Sequence, residues 1–358
     1  MSQLSNQKVP SEVLAQYNVA PEKCIISALG NGHINDTFLL KSNNATFVLQ
    51  KINTHVFPDP YAVVNNAEHI NQHLIKQQKQ DSYPFARCEQ LQTRDNLPYC
   101  QHQGKFWRAM HFIDNTYTIE RIDKPKIAFQ AASAFSKFSQ TLNSFDAKLL
   151  TPVIPKFHDI EFRLAQLKQA INNNTQNRLN SCQSLIDVCH KQQDFINQVV
   201  TTIKELPLRV THNDTKINNL LFDKSSHNPV AVIDLDTCMP GYLMHDFGDM
   251  VRSCCSNLAE DATNIEKMQI KTEILQALAA GYLSSFAATI TAQEKLSLKL
   301  GARLMPLMIG MRFLTDYLEG DNYFQTRYTT HNLDRAKNQF KLFKLLTEAQ
   351  TQIDLAFV

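Results

Sequence analysis

Asp214 and Asn219 lie five residues apart in Leu208-Arg209-Val210-Thr211-His212-Asn213-Asp214-Thr215-Lys216-Ile217-Asn218-Asn219-Leu220-Leu221-Phe222, a polar loop that β-rich runs enter and leave. Phosphoryl transfer needs a carboxylate near the attacking hydroxyl and oxygen ligands for magnesium, because its catalysis is mostly positioning and charge neutralisation. The offset from Asp214 to Asn219 is that of base and metal ligand on a kinase catalytic loop. Lys216, two residues after the candidate base, is within reach of a transferring phosphate, and His212 reads as a residue that holds the loop.

Further on, Ala231-Val232-Ile233-Asp234-Leu235-Asp236-Thr237 is an apolar run ending in two carboxylates with one residue between them. If the strand continues, its period of two puts Asp234 and Asp236 on one side, both facing a cation. Without a cation between them, two acids at the end of a buried strand repel each other. Either segment alone also reads as a polar turn with satisfied side chains; in this order, the two together point to metal-dependent phosphoryl transfer. Asp246 and Asp249, in His245-Asp246-Phe247-Gly248-Asp249, lie too far along to be that metal motif, and Asp246 reads as a helix-start or loop-bracing residue.

Upstream, Gly30-Asn31-Gly32-His33-Ile34-Asn35-Asp36-Thr37 fits a phosphate-covering hairpin, with Gly30 and Gly32 letting backbone amides approach a nucleotide. Hairpins with two glycines also form without any ligand. A lysine is expected on the following strand to hold the α- and β-phosphates, yet Phe47-Val48-Leu49-Gln50-Lys51 puts Gln50 at that place and turns Lys51 to the opposite face. The helix acid that would pair with such a lysine, Glu68, is left open between a surface and a metal-facing role.

A scaffold must position these groups, and 358 residues, 43% of them apolar, can bury a large core as one extended domain or two lobes. The formal charge of +2 is spread without a Lys/Arg block dense enough for a nucleic-acid backbone, so nucleic acid is not expected as a partner. Met1 to Pro10 is polar and no run of about 18 apolar residues occurs, so no membrane partner and a soluble, cytoplasmic protein are expected. The eight cysteines lack a Cys-x-x-Cys pair and read as reduced thiols.

Periodicity predicts a short helix at Ser11 to Tyr17, then strands at Cys24 to Ile26, Ile34 to Lys41 and Thr46 to Ile52. A helix over Ala62 to Ile75 follows, entered through Pro58-Asp59-Pro60, and Phe85 to Leu91 with Phe106 to Ile113 complete the sheet. Beyond Asp114 the pattern is mostly helical, over Ile127 to Leu142, Leu185 to Ile203, Ile270 to Phe286 and Leu296 to Leu318. Asn172-Asn173-Asn174 reads as an exposed loop, Phe129, Phe135 and Phe138 as core, and Asp316, Glu319 and Asp321 as acids pairing with Arg327 and Arg335. The chain thus divides near residue 112 into a β-rich nucleotide-binding lobe, 1–112, and a helical lobe with the catalytic loop, 113–358. A hinge is expected near Trp107 to Ile113, where backbone groups of Met110 to Phe112 read the adenine edge.

With these residues in hand, the chain resembles the N-acetylhexosamine 1-kinases of the aminoglycoside-phosphotransferase and choline-kinase superfamily. The stretches that carry the resemblance are Gly32-His33-Ile34-Asn35, Val48-Leu49-Gln50 with Phe57-Pro58-Asp59, Arg209 to Lys216, Ile233 to Thr237 with Met239-Pro240-Gly241, and Gly310 to Asp321 with Tyr323-Phe324. The resemblance implies an α+β, bilobal, protein-kinase-like fold and transfer of phosphate from ATP, with magnesium, to the anomeric hydroxyl of N-acetylglucosamine or N-acetylgalactosamine. It implies Asp214 as general base, Asn219, Asp234 and Asp236 as metal ligands, and His33, Asn35, Arg312 and Tyr323 as sugar contacts, with the sugar held mainly by the helical lobe. Glutamine at the place of Gln50 is shared with that family. The competing readings are a kinase for choline, homoserine, methylthioribose or an aminoglycoside, and a catalytically silent nucleotide-binding regulator. Choline would need an aromatic cage and aminoglycosides an acidic pocket.

Overall fold

The computed structural model describes residues 9–30, 34–42, 45–286 and 289–357. The chain forms two compact units: a sheet unit of Met1–Tyr117, Lys148–Ile154 and Phe222–Met239, and a helical unit of Thr118–Ala147, Pro155–Leu221 and Pro240–Val358.

In the sheet unit, strands β1 (Cys24–Ala28), β2 (Asp36–Ser42), β3 (Thr46–Ile52), β4 (Gln90–Leu91), β5 (Cys100–His102) and β6 (Lys105–His111) form one antiparallel sheet in the order β1-β2-β3-β6-β4, with β5 also on β6. Alternation sends Phe47, Leu49, Trp107 and Ala109 to one face, where they pack with Val13 and Leu14 of the short helix Ser11–Gln16 and with Phe38 and Leu40. Gln50 and Arg108 lie directly opposite each other on the other face. Lys51 pairs with Asp36, as its opposite orientation requires. The expected strand Phe85 to Leu91 is reduced to β4, with Ala86 forming an isolated bridge to Ala231.

The helix Pro60–Gln78 begins where Asp59 accepts from the amides of Tyr61 (3.1 Å) and Ala62 (3.2 Å), with Pro60 in the first turn where no N–H is needed. Its buried Asn66 ties distant chain segments into this unit: the amide nitrogen donates to the carbonyls of Thr151 (2.7 Å) and Cys238 (3.1 Å), and Oδ1 accepts from the Thr151 amide (3.0 Å). Glu68 accepts from Gln72 one turn on (2.8 Å), a surface contact within the helix. Three further strands, β7 (Thr116–Tyr117), β9 (Leu220–Asp223) and β10 (Pro229–Val232), pair in the order β10-β9-β7; β8 (Arg209–Thr211) enters the Asp214 loop.

The helical unit packs around the 28-residue helix Ala292–Glu319, which starts four residues before the expected Leu296 because Thr291 and Glu294 form a reciprocal cap (3.1 and 2.8 Å). The expected helix Leu185 to Ile203 is two, Gln183–His190 and Gln193–Ile203, broken at Lys191 and Gln192. Asn172 and Asn173 end the helix Ile160–Asn173 rather than lying in a loop, and Asn174, left-handed at φ 39, terminates it. Phe135 and Phe138 are buried as expected, but Phe129 is 42% exposed.

The helix Leu243–Cys254 crosses Ala292–Glu319 through two glycines. A Cβ at Gly248 would lie 2.2 Å from the Gly301 carbonyl oxygen, and one at Gly301 would lie 2.1 Å from that of Met244. The crossing has no room for a methyl group, because the obstructing atoms are backbone. Gly301→Ala is therefore expected to cost about 1–3 kcal/mol by overpacking. Urea unfolding checks this, and a variant as stable as the parent would refute the close approach.

Candidate active site

β8 ends in a loop whose backbone is clamped from below. Asp246, fully buried on the helix Leu243–Cys254, accepts from the His212 amide (3.0 Å) with one carboxylate oxygen and from the Asn213 amide (2.7 Å) with the other. Thr215 Oγ1 donates to the Asp246 carbonyl (2.6 Å). Asn213 takes a left-handed φ of 63 between them. Burial pushes the Asp246 carboxyl up to about 6, against the opposing pull of His212 and the two amides. Asp246 is thus the loop brace that its place in the sequence suggests. His212 is enclosed by Phe135 and Phe138, with ring centroids 5.5 and 6.1 Å away, and its Nδ1 accepts from the Asp214 amide (3.3 Å). Its contacts are those of a loop support.

Above this clamp Asp214 and Asn219 meet. Asn219 Nδ2 donates to the Asp214 carbonyl (2.8 Å) and to its carboxylate Oδ2 (3.0 Å), while Lys216 Nζ lies 3.4 Å from Oδ1. Burial alone would raise the Asp214 pKa; Lys216, His212, Arg252 and the Asn219 hydrogen bond outweigh it and hold the carboxyl below the ordinary aspartate value. Asp214 in turn raises the Lys216 pKa. Because the Asn219 amide nitrogen is committed to Asp214, its Oδ1 is turned the other way, a hard oxygen of the kind magnesium takes.

Behind the loop, Arg252 Nε donates to Asp249 (2.8 Å) and its other end pairs with Glu260. Burial would raise the Glu260 carboxyl, but Arg252 and Lys216 win and hold it at about 2. The loop therefore sits in an alternating chain of fixed charges, Glu260, Arg252, Asp249, Lys216 and Asp214.

Also in the helical unit, Arg312 lies on the long helix, 9% exposed, with its guanidinium over the rings of Phe157 (4.7 Å), Tyr323 (5.4 Å) and Phe324 (5.4 Å). The rings are held there by Asp316, whose carboxylate accepts from the amides of Asn322 (2.8 Å), Tyr323 (2.8 Å) and Phe324 (2.9 Å) and from Asn332 (2.8 Å). The pairing of Asp316 and Asp321 with Arg327 and Arg335 is not what forms: Asp321 pairs with Arg178 (2.6 Å), Arg327 faces Asp261, and Arg335 donates to the Gln325 carbonyl. Backbone amides folding back over the helix end take the acid that a distant cation would otherwise have met. Arg163 donates to the Phe157 carbonyl (3.1 and 2.9 Å), and burial followed by the Arg312 charge disfavours its charged form. His158 donates Nε2–H to the Asn213 carbonyl (3.1 Å), which joins this basic, aromatic group to the Asp214 loop; burial, His245 and Arg312 keep it neutral. Sequence reading missed Arg163 and His158, which no local spacing marks.

In the sheet unit, the carboxylates of Asp234 and Asp236 do not share a strand face. β10 stops at Val232; Asp234 turns left-handed (φ 60) and a short 3-10 turn, Leu235–Thr237, follows. Asp234 is exposed, while Asp236 is buried at 2% exposure, with one oxygen on the Arg108 guanidinium and the other accepting from Asn35 Nδ2 (2.7 Å). Arg108 also donates to Gln50 Oε1 from Nε (3.1 Å) and Nη2 (2.7 Å), and Gln50 donates to Thr37 Oγ1 (3.1 Å). The cation that buried acids require is thus a guanidinium of the chain itself for Asp236. Asn35 has its Oδ1 on the Asn53 amide (2.9 Å), so both ends of its side chain serve this network. An arginine inside the apolar run Phe106-Trp107-Arg108-Ala109-Met110 was the available signal, since a buried charge needs a partner.

Met110 sits inside β6, paired with Val48 on one side and Gln90 on the other, and Phe112 is the first residue beyond that strand. Gly30 has φ +72, and a Cβ built there would meet nothing within 4 Å among the described residues, so the glycine serves the backbone conformation. Gly32 and His33 lie outside the described residues. Among the described residues no cage of three or more His, Cys, Asp or Glu side chains forms, and magnesium carried on phosphates through one or two protein oxygens needs none. Asn219 in the helical unit and Asp234 in the sheet unit each carry a hard oxygen of the type that such a mode uses.

An antiparallel sheet unit and a helical unit bearing an Asp–Asn loop define the protein-kinase-like α+β class. Residues 25–289, well over half of the chain, match the phosphotransferase enzyme family APH, and the chain belongs to that family. It is similar in fold to an aminoglycoside phosphotransferase from Alicyclobacillus acidocaldarius (15% identity, 97% of each chain, TM-score 0.59) and to a spectinomycin phosphotransferase solved with ADP and spectinomycin (11%, 97% of this chain and 98% of that one, 0.59). A choline kinase from Cryptosporidium parvum is similar at 14% identity over 99% of this chain and 96% of its own, with a TM-score of 0.53. No helix among the described residues is long and apolar enough to cross a membrane.

Lys216→Met is expected to raise the Asp214 pKa, because the nearest positive charge holding the carboxylate ionised is removed. Carboxyl-carbon NMR titration measures it; an unmoved or lowered value would show that Lys216 does not set the charge of Asp214.

Proposed function

We propose that the protein is an ATP- and magnesium-dependent kinase that phosphorylates the anomeric hydroxyl of an N-acetylhexosamine, with Asp214 as general base. The observation that carries the phosphotransferase part is the Asn219 amide locked onto the Asp214 carboxylate, which sets a base and a hard-oxygen ligand back to back. Asp214, ionised at neutral pH, accepts the proton of the sugar hydroxyl as its oxygen attacks the γ-phosphorus. Lys216 steadies that carboxylate and offers charge to the transferred phosphate. Asn219 and Asp234 are the proposed magnesium ligands; magnesium, when bound, neutralises charge on the β- and γ-phosphate oxygens. The nucleotide found with the spectinomycin enzyme supports an adenine nucleotide here, with the Gly30 hairpin, Gln50 and the backbone from Met110 to Phe112 in its binding.

The sugar assignment rests on Arg312. The aromatic box that would suit a quaternary ammonium already holds the guanidinium of this chain, and Arg163 adds a second positive charge beside it. Such a place repels cationic alcohols such as choline or an aminoglycoside and favours a neutral sugar rich in hydrogen-bond acceptors. Arg312 would donate to ring or acetamido oxygens, and Tyr323 would pack against the sugar.

The test is incubation with ATP, magnesium and a panel of hexosamines, choline and aminoglycosides, with phosphorus NMR to identify the product. A sugar 1-phosphate from N-acetylhexosamines is expected; turnover of the cationic alcohols alone would overturn the substrate assignment. Asp214→Asn is expected to lower kcat by roughly 10²–10⁴ with sugar and nucleotide binding retained, and normal turnover would remove Asp214 from the role of base.

A further inference from the structure

The face of the sheet that presents Gln50 carries its own ion pair, and that pair has a consequence for the nucleotide. Gln50 occupies the β3 position from which a lysine usually meets the α- and β-phosphates. Directly across the ladder, Arg108 donates to Gln50 and pairs with Asp236. Arg108 and Asp236 are each only 2% exposed, so water does little to screen one from the other. Together they present no net charge. Lys51 is on the opposite face and paired with Asp36. Lys41, on the Gln50 face of β2, is exposed and lies about 13 Å along the strand from Thr37, the residue opposite Gln50, at ~3.3 Å per residue. Glu68, which would partner a strand lysine, bonds to Gln72 instead.

We infer that the positive charge this chain carries in place of the strand lysine is neutralised internally by Asp236, so that the sheet unit binds nucleotide strongly only as its magnesium complex. Arg108 is then a positioning residue. It fixes Gln50 on one side and, on the other, the turn that follows Asp234, while Asp236 serves as its counter-ion and not as a metal ligand. The inference rests on the reading of the sheet unit as the nucleotide-binding part.

A gain of binding is expected on removing the Asp236 charge. Asp236→Asn keeps the shape of the side chain and its contact with Asn35, but frees the Arg108 charge. Isothermal titration of the full-length protein with ADP, in EDTA and in excess magnesium, gives the two affinities. The parent should bind Mg·ADP and bind metal-free ADP far more weakly; Asp236→Asn should tighten metal-free ADP binding by roughly tenfold or more and narrow the gap between the two conditions. Weaker or unchanged metal-free binding in Asp236→Asn overturns the inference, and a selective loss of Mg·ADP affinity would return Asp236 to the metal.

Because an unpaired buried arginine can unfold the protein, the double variant Arg108→Met with Asp236→Asn is the second arm. With both charges removed the gain in metal-free binding should disappear, and the ratio of magnesium-loaded to metal-free affinity should stay within about threefold of the parent's; a metal-free gain as large as that of Asp236→Asn alone contradicts the assignment of the gain to Arg108. If the parent binds no ADP even with magnesium, the kinase reading itself fails, an outcome distinct from any of these.

Discussion

Asp214 is useful only while it is both ionised and aimed, and in a half-enclosed loop these demands conflict, because burial favours the neutral acid. The helical unit resolves the conflict with short-range contacts. Asn219 gives one carboxylate oxygen a hydrogen bond, Lys216 gives the other a charge, and Asp246 fixes the backbone beneath through two amides. Each of these supports is itself supported. The Gly248–Gly301 crossing seats the helix of Asp246, and Arg252 balances Asp249 and Glu260 behind Lys216. Asp214 is therefore one end of a chain of partly and fully buried charges whose order alternates, which is the arrangement that lets a polar interior persist.

The same economy of charge runs through the rest of the molecule. In the sheet unit Arg108 answers Asp236, and in the helical unit Asp316 answers three backbone amides instead of a cation. Arg312 and Arg163 depart from this, the first met by aromatic faces and the second by the Phe157 carbonyl in place of an acid. A cation held by rings, in the same unit as the loop that carries Asp214, is what supports the proposed acceptor: a neutral molecule rich in hydrogen-bond acceptors and not an amine.

What the sequence revealed and what it hid follow from range. The loop from His212 to Asn219 was legible because base, lysine and amide act over a few residues, and the helices were legible from their apolar period. The shared face expected of Asp234 and Asp236 did not form because a period of two presumes that the strand goes on, and a single left-handed residue at Asp234 ended it. Phe129 was misplaced because at about 100° per residue it lies roughly opposite Phe138 on the same helix. Arg108 carried the answer to the absent lysine, yet its meaning depends on a cross-strand register with Gln50 and on an acid 128 positions away, neither of which local patterns encode. The acids at the end of the long helix looked for arginines in sequence, and the fold met Asp316 with its own amides.

The proposed metal role of Asn219 is the most direct place to test the account, because the Asp214 contact that orients its Oδ1 lies wholly within the helical unit. Manganese, followed by electron paramagnetic resonance in the presence of ADP, reports a bound divalent ion in the parent and in Asn219→Ala. The variant should bind manganese roughly tenfold or more weakly than the parent; a variant that binds manganese as the parent does would contradict the account.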